Sequence, residues 1–216
     1  MSERSLTTAF LMARSVGVKA KIDRAAVDLF AKRGVDGVSI ADIATHARVS
    51  QGALYRHYRT KDEMALQLFS EAYLRTGGEL EAIHRGEPNF AARLAAMIAH
   101  FCALYDRDPA LFRFMLIAQH DFLPRIVDAR AAPVAAIEAA IADAVASKDI
   151  EAVDTGIAAA IVMGIVLQTA IFHIYGRISG SLTARAPALA RAAIAAVGTL
   201  ARGAQGVASS ENSRSF

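Results

Sequence analysis

Apolar residues recur at helical spacing near the start of the chain. Between Lys19 and Arg33 they lie at i, i+3, i+4, i+7 and i+8, which forms one stripe of an amphipathic helix. The basic last turn and Gly34 are typical of a helix C-terminus. The pattern therefore predicts a helix over 19–33. Its apolar stripe is Ile22, Ala25, Ala26, Leu29 and Phe30.

Two short helices are predicted next, each starting after a serine that can act as N-cap. Ser39 precedes a helix that ends near Ala47, since Ser50 opens another helix running to about Tyr58. Thr60 then starts a longer helix, with Glu63 placed for a capping box. The inward residues of the short helices are Ile40, Ile43, Ala44, Ala47, Leu54 and Tyr58.

The remainder of the chain also has helical periodicity, so we predict an all-α fold. Gly77-Gly78 is expected to weaken or end the helix that starts at 61. Residues 86–89 form a clear break, and Pro133 is expected to kink or restart a helix. The remaining helices are predicted over 90–105, 109–120, a stretch from Pro124 to about 147, 154–177 and 183–202.

Four segments follow from this pattern. We expect a flexible N-terminal arm over 1–18, a helix-turn-helix domain over 19–65, a larger helical domain over 66–203 and a disordered tail over 204–216. The N-terminus does not have the pattern of a signal peptide, and Met12 is an alternative start to Met1.

Charge is distributed unevenly along the chain. Residues 1–62 hold 11 Lys and Arg against 6 Asp and Glu, a net charge of +5; residues 63–216 hold 13 against 15, a net charge of −2. This distribution favours a nucleic-acid contact in the front segment. The single cysteine, Cys102, excludes an intramolecular disulfide and suits the cytoplasm.

The second short helix has the side chains that major-groove recognition requires. Gln51 can pair with an adenine edge, while Gly52 and Ala53 allow close approach and contact with a thymine methyl. Tyr55, Arg56, His57 and Lys61 can reach phosphates, and so can Ser39 and Ser50 at the helix starts. Taken alone, a run of this kind is also typical of a helix edge that packs in a core.

The segment Ser39-Ile-Ala-Asp-Ile-Ala-Thr-His-Ala-Arg-Val-Ser-Gln-Gly-Ala-Leu-Tyr-Arg-His-Tyr-Arg-Thr-Lys-Asp-Glu-Met resembles the DNA-binding domain of the TetR/AcrR family. Residues 26–34 are similar to that family's first helix, and the resemblance covers about 19–70. It implies that Gln51, Gly52 and Ala53 face bases and that Tyr55, His57 and Lys61 face the backbone. It also implies that the helical domain over 66–203 is a regulatory and dimerisation domain, which in this family often holds an effector.

Arg48 departs from this family, which usually has glycine in the turn. A residue with a side chain can adopt the left-handed conformation there at a cost of roughly 1 kcal/mol. A contact between Arg48 and a DNA phosphate would offset that cost, and we take this as a hypothesis.

The last two predicted helices are apolar on nearly all sides. The stretch from Thr155 to Ile174 has no charged residue and is long enough to span a membrane. Gln168, Thr169 and His173 weaken that interpretation, as does the lack of a flanking basic cluster. We therefore predict that helices 154–177 and 183–202 form the interface of a homodimer, with no membrane span.

Candidates for an effector pocket lie in the middle helices and in the first of these last two helices. A small, mostly apolar ligand would suit them, although ordinary core packing is the more frequent explanation for each of these residues taken singly. The candidates are Met97, Phe101, Tyr105, Phe112, Met115, Gln168, Phe172 and His173.

No nucleophile motif, phosphate-binding loop or metal-ligand spacing is present in the sequence, so we expect no catalytic residues, metal or cofactor. The sequence predicts a cytoplasmic, homodimeric, ligand-responsive repressor that binds palindromic double-stranded DNA. The alternatives are a helical small-molecule carrier or enzyme that retains a DNA-binding front, and a DNA-organising protein without a ligand. Repressor and activator are not distinguished at this stage.

Overall fold

The structure is a computed structural model that describes the backbone of residues 3–126 and 132–212, and the side chains of 17–126 and 132–201. Every regular element in these ranges is helical, which confirms the all-α prediction. The helices are α1 (Glu3–Arg33), α2 (Ile40–Ala47), α3 (Gln51–Tyr55), α4 (Lys61–Gly86), α5 (Phe90–Arg107), α6 (Pro109–Phe122), α7 (Pro133–Ala146), α8 (Thr155–Ile174) and α9 (Ala186–Asn212).

The outermost helices extend beyond the predicted limits. Helix α1 begins at Glu3, so residues 3–18 are helical where a flexible arm was expected. Helix α9 ends at Asn212, so most of the expected disordered tail is helical as well. Neither extension contains proline, so no residue in them is incompatible with continuing the helix. Residues 1–2 and 213–216 lie outside the described residues.

Helices α3 and α4 also differ in length from the prediction. Helix α4 continues through Gly77-Gly78 to Gly86, because the buried neighbours Thr76 and Leu80 fix the backbone on both sides. Helix α3 ends at Tyr55 rather than near Tyr58. The predicted break before α5 is confirmed, with Asn89 as the N-cap, and Pro133 begins α7 rather than kinking a helix.

The chain divides into two compact units. The first comprises Met1–Ala72 and Ala110–Ile126, and the second comprises Tyr73–Pro109 and Val127–Phe216. The sequence places the domain border after residue 65, whereas the first unit continues to Ala72 and includes most of α6. Which unit binds DNA and which is regulatory stays a prediction.

Aromatic side chains form much of the core of the first unit. The ring of Phe114 on α6 lies 5.6 Å from that of Phe30 on α1 and 6.5 Å from that of Phe69 on α4. Phe122 at the end of α6 lies 5.7 Å from Phe69. All four side chains are buried, so α6 completes a core that the first three helices begin. The other large buried side chains here are Ile22, Ile43, Leu54, Tyr58 and Met64.

An ion pair joins the same two parts of the first unit at the surface. The guanidinium of Arg125 donates two hydrogen bonds, of 3.1 and 2.9 Å, to the carboxylate of Asp62 at the start of α4. The two hydrogen bonds form the fork geometry that arginine and a carboxylate favour. The guanidinium also lies 5.4 Å from the centre of the Phe122 ring. The end of α6 is therefore held to α4 by both polar and aromatic contacts.

In the second unit, α5 packs against α7, α8 and α9. Two carboxylates hold the loops before and after α8 to α5. Asp149, before α8, accepts a hydrogen bond of 2.7 Å from the backbone N–H of Phe90. Asp106, at the end of α5, accepts from the Ser181 hydroxyl and from the backbone N–H groups of Leu182 and Thr183, at 2.6 to 3.0 Å. Although burial opposes it, these hydrogen bonds hold the pKa of Asp106 far below its usual range.

Helix α8 exposes one apolar face in this unit. By length and composition α8 could cross a membrane, yet only 28% of its apolar window is buried within the chain. Ala158, Val162 and Val166 on its other face are fully or nearly fully buried. Ile161, Gly164, Ile165, Gln168, Thr169 and Phe172, together with Ile178 in the following loop, line an open groove of about 490 Å³. The exposed face of α8 is thus a continuous, mostly apolar surface.

Candidate nucleic-acid interface

The two short helices are fixed at their starts by the serines that the sequence indicates. The Ser39 hydroxyl accepts a hydrogen bond of 3.1 Å from the backbone N–H of Asp42, and the Asp42 carboxylate accepts from the backbone N–H of Ser39 at 2.9 Å. This is a capping box. The Ser50 hydroxyl accepts from the backbone N–H of Ala53 at 3.2 Å. Because a hydroxyl can accept and donate, the Ser50 proton is still available to a ligand.

The turn between the helices has left-handed backbone geometry at Arg48, with φ 56° and ψ 46°. The N–H of Arg48 donates to the carbonyl of Thr45 at 3.1 Å, and the N–H of Val49 donates to that of Ala44 at 3.0 Å. These two bonds constitute a Schellman motif, which ends α2 sharply and allows α3 to begin within three residues. The left-handed conformation expected for Arg48 is therefore confirmed.

One face of α3 is anchored in the core and the opposite face is exposed. Leu54 is fully buried, whereas Gln51 and Gly52 are exposed and the Tyr55 side chain is 53% exposed. A Cβ atom added at Gly52 would meet only the Ser50 hydroxyl, at 4.0 Å. The protein's own packing therefore does not require glycine at this position. The missing side chain leaves space on the exposed face, as close approach to a base pair requires.

A partly buried polar triad joins the chain just after α3 to α1. The Tyr58 hydroxyl donates to the carboxylate of Asp23 on α1 at 2.6 Å, and the Lys19 ammonium donates to both groups at 2.8 and 2.9 Å. Burial, together with the hydrogen bond to Asp23, raises the pKa of the Tyr58 hydroxyl. Although burial opposes it, the bonds to Asp23 and Tyr58 raise the pKa of Lys19. These three hydrogen bonds hold this end of the motif to α1.

Most basic side chains described on α1 form ion pairs, whereas the arginines on either side of α3 do not. Lys19 and Arg24 bind aspartates on their own helix, and Arg33 lies 3.8 Å from Asp42. Among the described residues, by contrast, the side chains of Arg48, Arg56 and Arg59 form no hydrogen bond or ion pair, and all three are exposed. Lys21 and Lys32 on α1 are also unpaired. Unpaired cations thus lie on both sides of α3 in sequence.

Three of the predicted contact residues are less freely placed. The Lys61 ammonium is half-buried and donates a long hydrogen bond of 3.4 Å to the carbonyl of Asp36. His57 is half-buried. The Ser39 hydroxyl also donates to the carboxylate of Asp42 at 2.7 Å, which occupies its proton. Hydrogen bonds from the backbone and the hydroxyl of Ser39 lower the pKa of Asp42.

Arg59 is a candidate that sequence reasoning missed. It directly follows Tyr58, and its side chain is exposed and unpaired among the described residues. Its backbone N–H donates to the carboxylate of Glu63 at 3.3 Å, which leaves the guanidinium free. The signal in the sequence was the Arg-x-x-Arg spacing of 56 and 59 across the end of α3.

The candidate ligand residues are distributed over several environments. Phe112 and Met115 belong to the first unit, and Met97 and Phe101 are buried in the core of the second. The Tyr105 hydroxyl hydrogen-bonds His173 Nδ1 at 2.9 Å, and His173 Nε2 donates to the Gly180 carbonyl at 2.8 Å. Gln168 and Phe172 line the open groove on α8. These placements leave the composition of an effector pocket a prediction.

Cys102 is a free, buried cysteine on α5. Burial raises its pKa to about 11, and the negative charge of Asp106 adds to that shift. The thiol therefore stays protonated and unreactive at neutral pH. Within the described ranges, no group of three or more His, Cys, Asp or Glu side chains is placed to hold a metal ion.

In the part of the chain that the structure describes, α2 and α3 form a capped, sharply turned pair with an exposed second helix, which is the geometry of a helix-turn-helix. The sequence model of the family "Bacterial regulatory proteins, tetR family" matches residues 22–68. The HTH-type transcriptional repressor Rv3405c of Mycobacterium tuberculosis is 49% identical over 47 residues, which are 22% of this chain and 25% of that protein. The match thus spans about a quarter of the relative's length.

Solved structures extend the similarity to the whole fold. The fatty acid degradation regulator FadR from Bacillus halodurans has a TM-score of 0.72 and 15% identity, covering 82% of this chain and 94% of that one. FadR from Bacillus subtilis, solved with stearoyl-CoA, has a TM-score of 0.64 and 18% identity, covering 81% and 97%. At these identities the structures establish the fold alone. The sequence similarity to the TetR family of bacterial regulatory proteins therefore covers residues 22–68, and the solved structures share the fold of most of the chain.

Proposed function

We propose that this protein is a ligand-responsive transcriptional repressor that binds a palindromic operator as a homodimer. The observation that carries the proposal is the exposed face of α3, which has unpaired cations on both sides in sequence and a core-anchored opposite face. A helix held in this way can enter the major groove of double-stranded DNA while the flanking cations contact phosphates. Two such helices, related by a two-fold axis, would read half-sites about 34–36 Å apart.

The proposed roles follow from exposure and chemistry. Gln51 reads a base edge through its amide, and Gly52 and Ala53 allow the helix to approach the bases. Tyr55, Arg56 and His57 bind phosphates on one side of the groove. Ser50 and Lys61 contribute further phosphate contacts, with Lys61 exchanging its weak bond to the Asp36 carbonyl for a phosphate oxygen. Ser39 has the weakest support of the set, because Asp42 already accepts its proton.

The test is salt-dependent binding to a duplex that the protein itself selects from a random DNA library. We expect the Tyr55→Ala and Lys61→Ala substitutions each to weaken binding by about tenfold or more and to flatten the salt dependence, since each removes phosphate contacts in both subunits. Fluorescence anisotropy at several salt concentrations measures both quantities. Lys21→Ala is the matched control, because Lys21 is an exposed, unpaired lysine on α1 with no proposed contact. Failure of the parent protein to select any duplex would contradict the proposal.

The proposed dimer forms through α8 and α9. The support is the open apolar face of α8, lined by Ile161, Ile165 and Phe172, together with the exposed small residues Ala188 and Ala192 on α9. A face of this kind is unfavourable in water and is typical of a helix that packs against a partner subunit. Packing against a partner subunit also explains why α8 has the composition of a membrane helix. The proposed role on DNA places the protein in the cytoplasm.

The proposed effector is a small, mostly apolar molecule bound by the second unit. The support is the buried aromatic core of that unit, which includes Phe101 and Tyr105, together with two proteins of the same fold. One neighbour was solved with stearoyl-CoA, and another is a gamma-butyrolactone receptor. Helix α4 contributes residues to both units, so a change in the second unit can reach the first along its backbone.

The effector is tested by a thermal-shift screen of acyl-CoA esters, free fatty acids and lactones, followed by DNA binding. A true effector should raise the melting temperature of the protein and change operator affinity by about 5–150-fold. A compound that stabilises the protein without changing DNA affinity would favour a small-molecule carrier. The absence of any stabilising compound across the screen would favour a DNA-organising protein without a ligand.

A further inference from the structure

Two residues with side chains adopt the left-handed conformation among the described residues, and both are basic. Arg48 has φ 56° and Lys148 has φ 61°. Each lies at the same position of a Schellman motif: the N–H of Lys148 donates to Val145 at 3.1 Å and that of Asp149 to Ala144 at 2.9 Å, as at the end of α2. The two turns therefore have the same backbone hydrogen bonds.

The conformation by itself does not require a function. A left-handed backbone is disfavoured for any residue with a Cβ atom, and glycine would avoid that cost at both positions. A basic side chain also interacts favourably with the negative end of the preceding helix. This electrostatic gain is available to Arg48 after α2 and to Lys148 after α7. The difference between the two residues must be sought in their surroundings.

The surroundings of Arg48 include no partner for its guanidinium. The side chain is exposed, and among the described residues it forms no hydrogen bond or ion pair. It lies three residues before Gln51, and the unpaired Arg56 and Arg59 follow on the other side of α3. The Lys148 side chain is likewise exposed and unpaired among the described residues, but it lies in the other unit, beside Asp149, whose carboxylate accepts a hydrogen bond from the start of α5. Of the two residues, only Arg48 lies beside an exposed helix, α3, that has further unpaired arginines, Arg56 and Arg59, at its other end.

We infer that Arg48, in the turn between α2 and α3, binds a DNA phosphate. This contact would offset the cost of placing an arginine in a backbone conformation that favours glycine. The inference rests on the proposed function. A guanidinium matches a phosphate with two parallel hydrogen bonds, and it keeps its charge at any physiological pH. Because Arg48 follows α2 and precedes α3, one such contact fixes the turn, and with it the position of α3, against the DNA backbone. It adds affinity without selecting a base sequence.

The experiment compares Arg48→Gly with Lys148→Gly in the full chain. Both variants relieve the same backbone strain and remove the same kind of helix-end charge, so we expect equal changes in melting temperature. DNA binding should separate them. Arg48→Gly should weaken binding by about tenfold and reduce the slope of log affinity against log salt by about 2 for a dimer. Lys148→Gly should leave both quantities at the parent values.

The probes are the duplex selected by the parent protein and a random-sequence duplex of equal length. A phosphate contact predicts that Arg48→Gly weakens binding to both duplexes by the same factor, so that their affinity ratio is unchanged. Arg48→Lys keeps the charge but not the paired hydrogen bonds, and it should restore the salt slope with part of the affinity. Parent-like affinity and salt slope in Arg48→Gly would overturn the inference. If the parent protein bound neither duplex, the proposed function itself would fail instead.

Discussion

Replacing Gly164 by arginine is expected to give a well-folded monomer that no longer holds its operator. Gly164 is exposed on α8, and a Cβ atom added there meets no atom of the chain within 4 Å. The isolated subunit can therefore accept the new side chain, and replacing a glycine inside a helix stabilises it by up to about 1 kcal/mol. A partner helix packed on the groove cannot accept it, because a long charged group would be buried without a counter-ion.

The loss of DNA binding should be large, because a monomer uses one recognition helix where the dimer uses two. Joining two binding elements raises affinity by about 10²–10⁴ beyond either alone, and the variant should lose a factor of that order. Analytical ultracentrifugation gives the oligomeric state, and circular dichroism confirms that the fold is retained. Gly78→Arg on α4 is the matched control, since Gly78 also lies in a helix with open space around its Cβ position. A Gly164→Arg protein that is dimeric at micromolar concentration would place the interface elsewhere.

Replacing Tyr58 by alanine is expected to destabilise the first unit by about 3–5 kcal/mol. The ring of Tyr58 is 1% exposed, and its hydroxyl is one member of the triad with Asp23 and Lys19. The substitution leaves a cavity and also removes the hydrogen-bond partner of a partly buried ion pair. Urea denaturation of the full chain, followed by helical signal, measures the free energy of unfolding of this unit.

Two further variants separate the ring from the hydroxyl. Tyr58→Phe keeps the ring and should lose only about 1–3 kcal/mol, the cost of leaving the partners of the hydroxyl unsatisfied. Tyr55→Ala lies three residues away and should stay within about 0.5 kcal/mol of the parent, because its ring is 53% exposed. Equal stability losses for Tyr55→Ala and Tyr58→Ala would show that the assignment of one tyrosine to the surface and the other to the core is wrong.

The local features of the helix-turn-helix could be predicted from the sequence because each depends on a few adjacent residues. Ser39 and Ser50 cap the helices, and the short spacing between them forces a sharp turn at Arg48. The apolar stripe of α1 correctly identified the buried residues Ile22, Ala26 and Phe30. Helix caps and apolar stripes depend on residues within a few turns of the same helix. They can therefore be predicted without knowing how the rest of the chain packs.

Features set by distant parts of the chain could not be predicted in this way. Periodicity predicted a helix over 109–120, but not that most of α6 belongs to the first unit. Gly77-Gly78 has a low intrinsic preference for helix, and only the burial of its neighbours reveals why α4 continues through it. For the candidate site, exposure separates Tyr55 from Tyr58, whereas the base that Gln51 reads depends on a DNA sequence that the chain does not contain.

The first compact unit is not contiguous in sequence, and this has a consequence for how the protein is made. Its aromatic core joins Phe30 and Phe69 to Phe114 and Phe122, and Asp62 finds its partner at Arg125. On a ribosome, the segment up to Ala72 emerges well before its last packing partners. The N-terminal helices must therefore wait, with part of their core open to water, until synthesis has passed residue 126. The order of translation thus delays the completion of the core beneath α2 and α3 until α6, after α5, has been made.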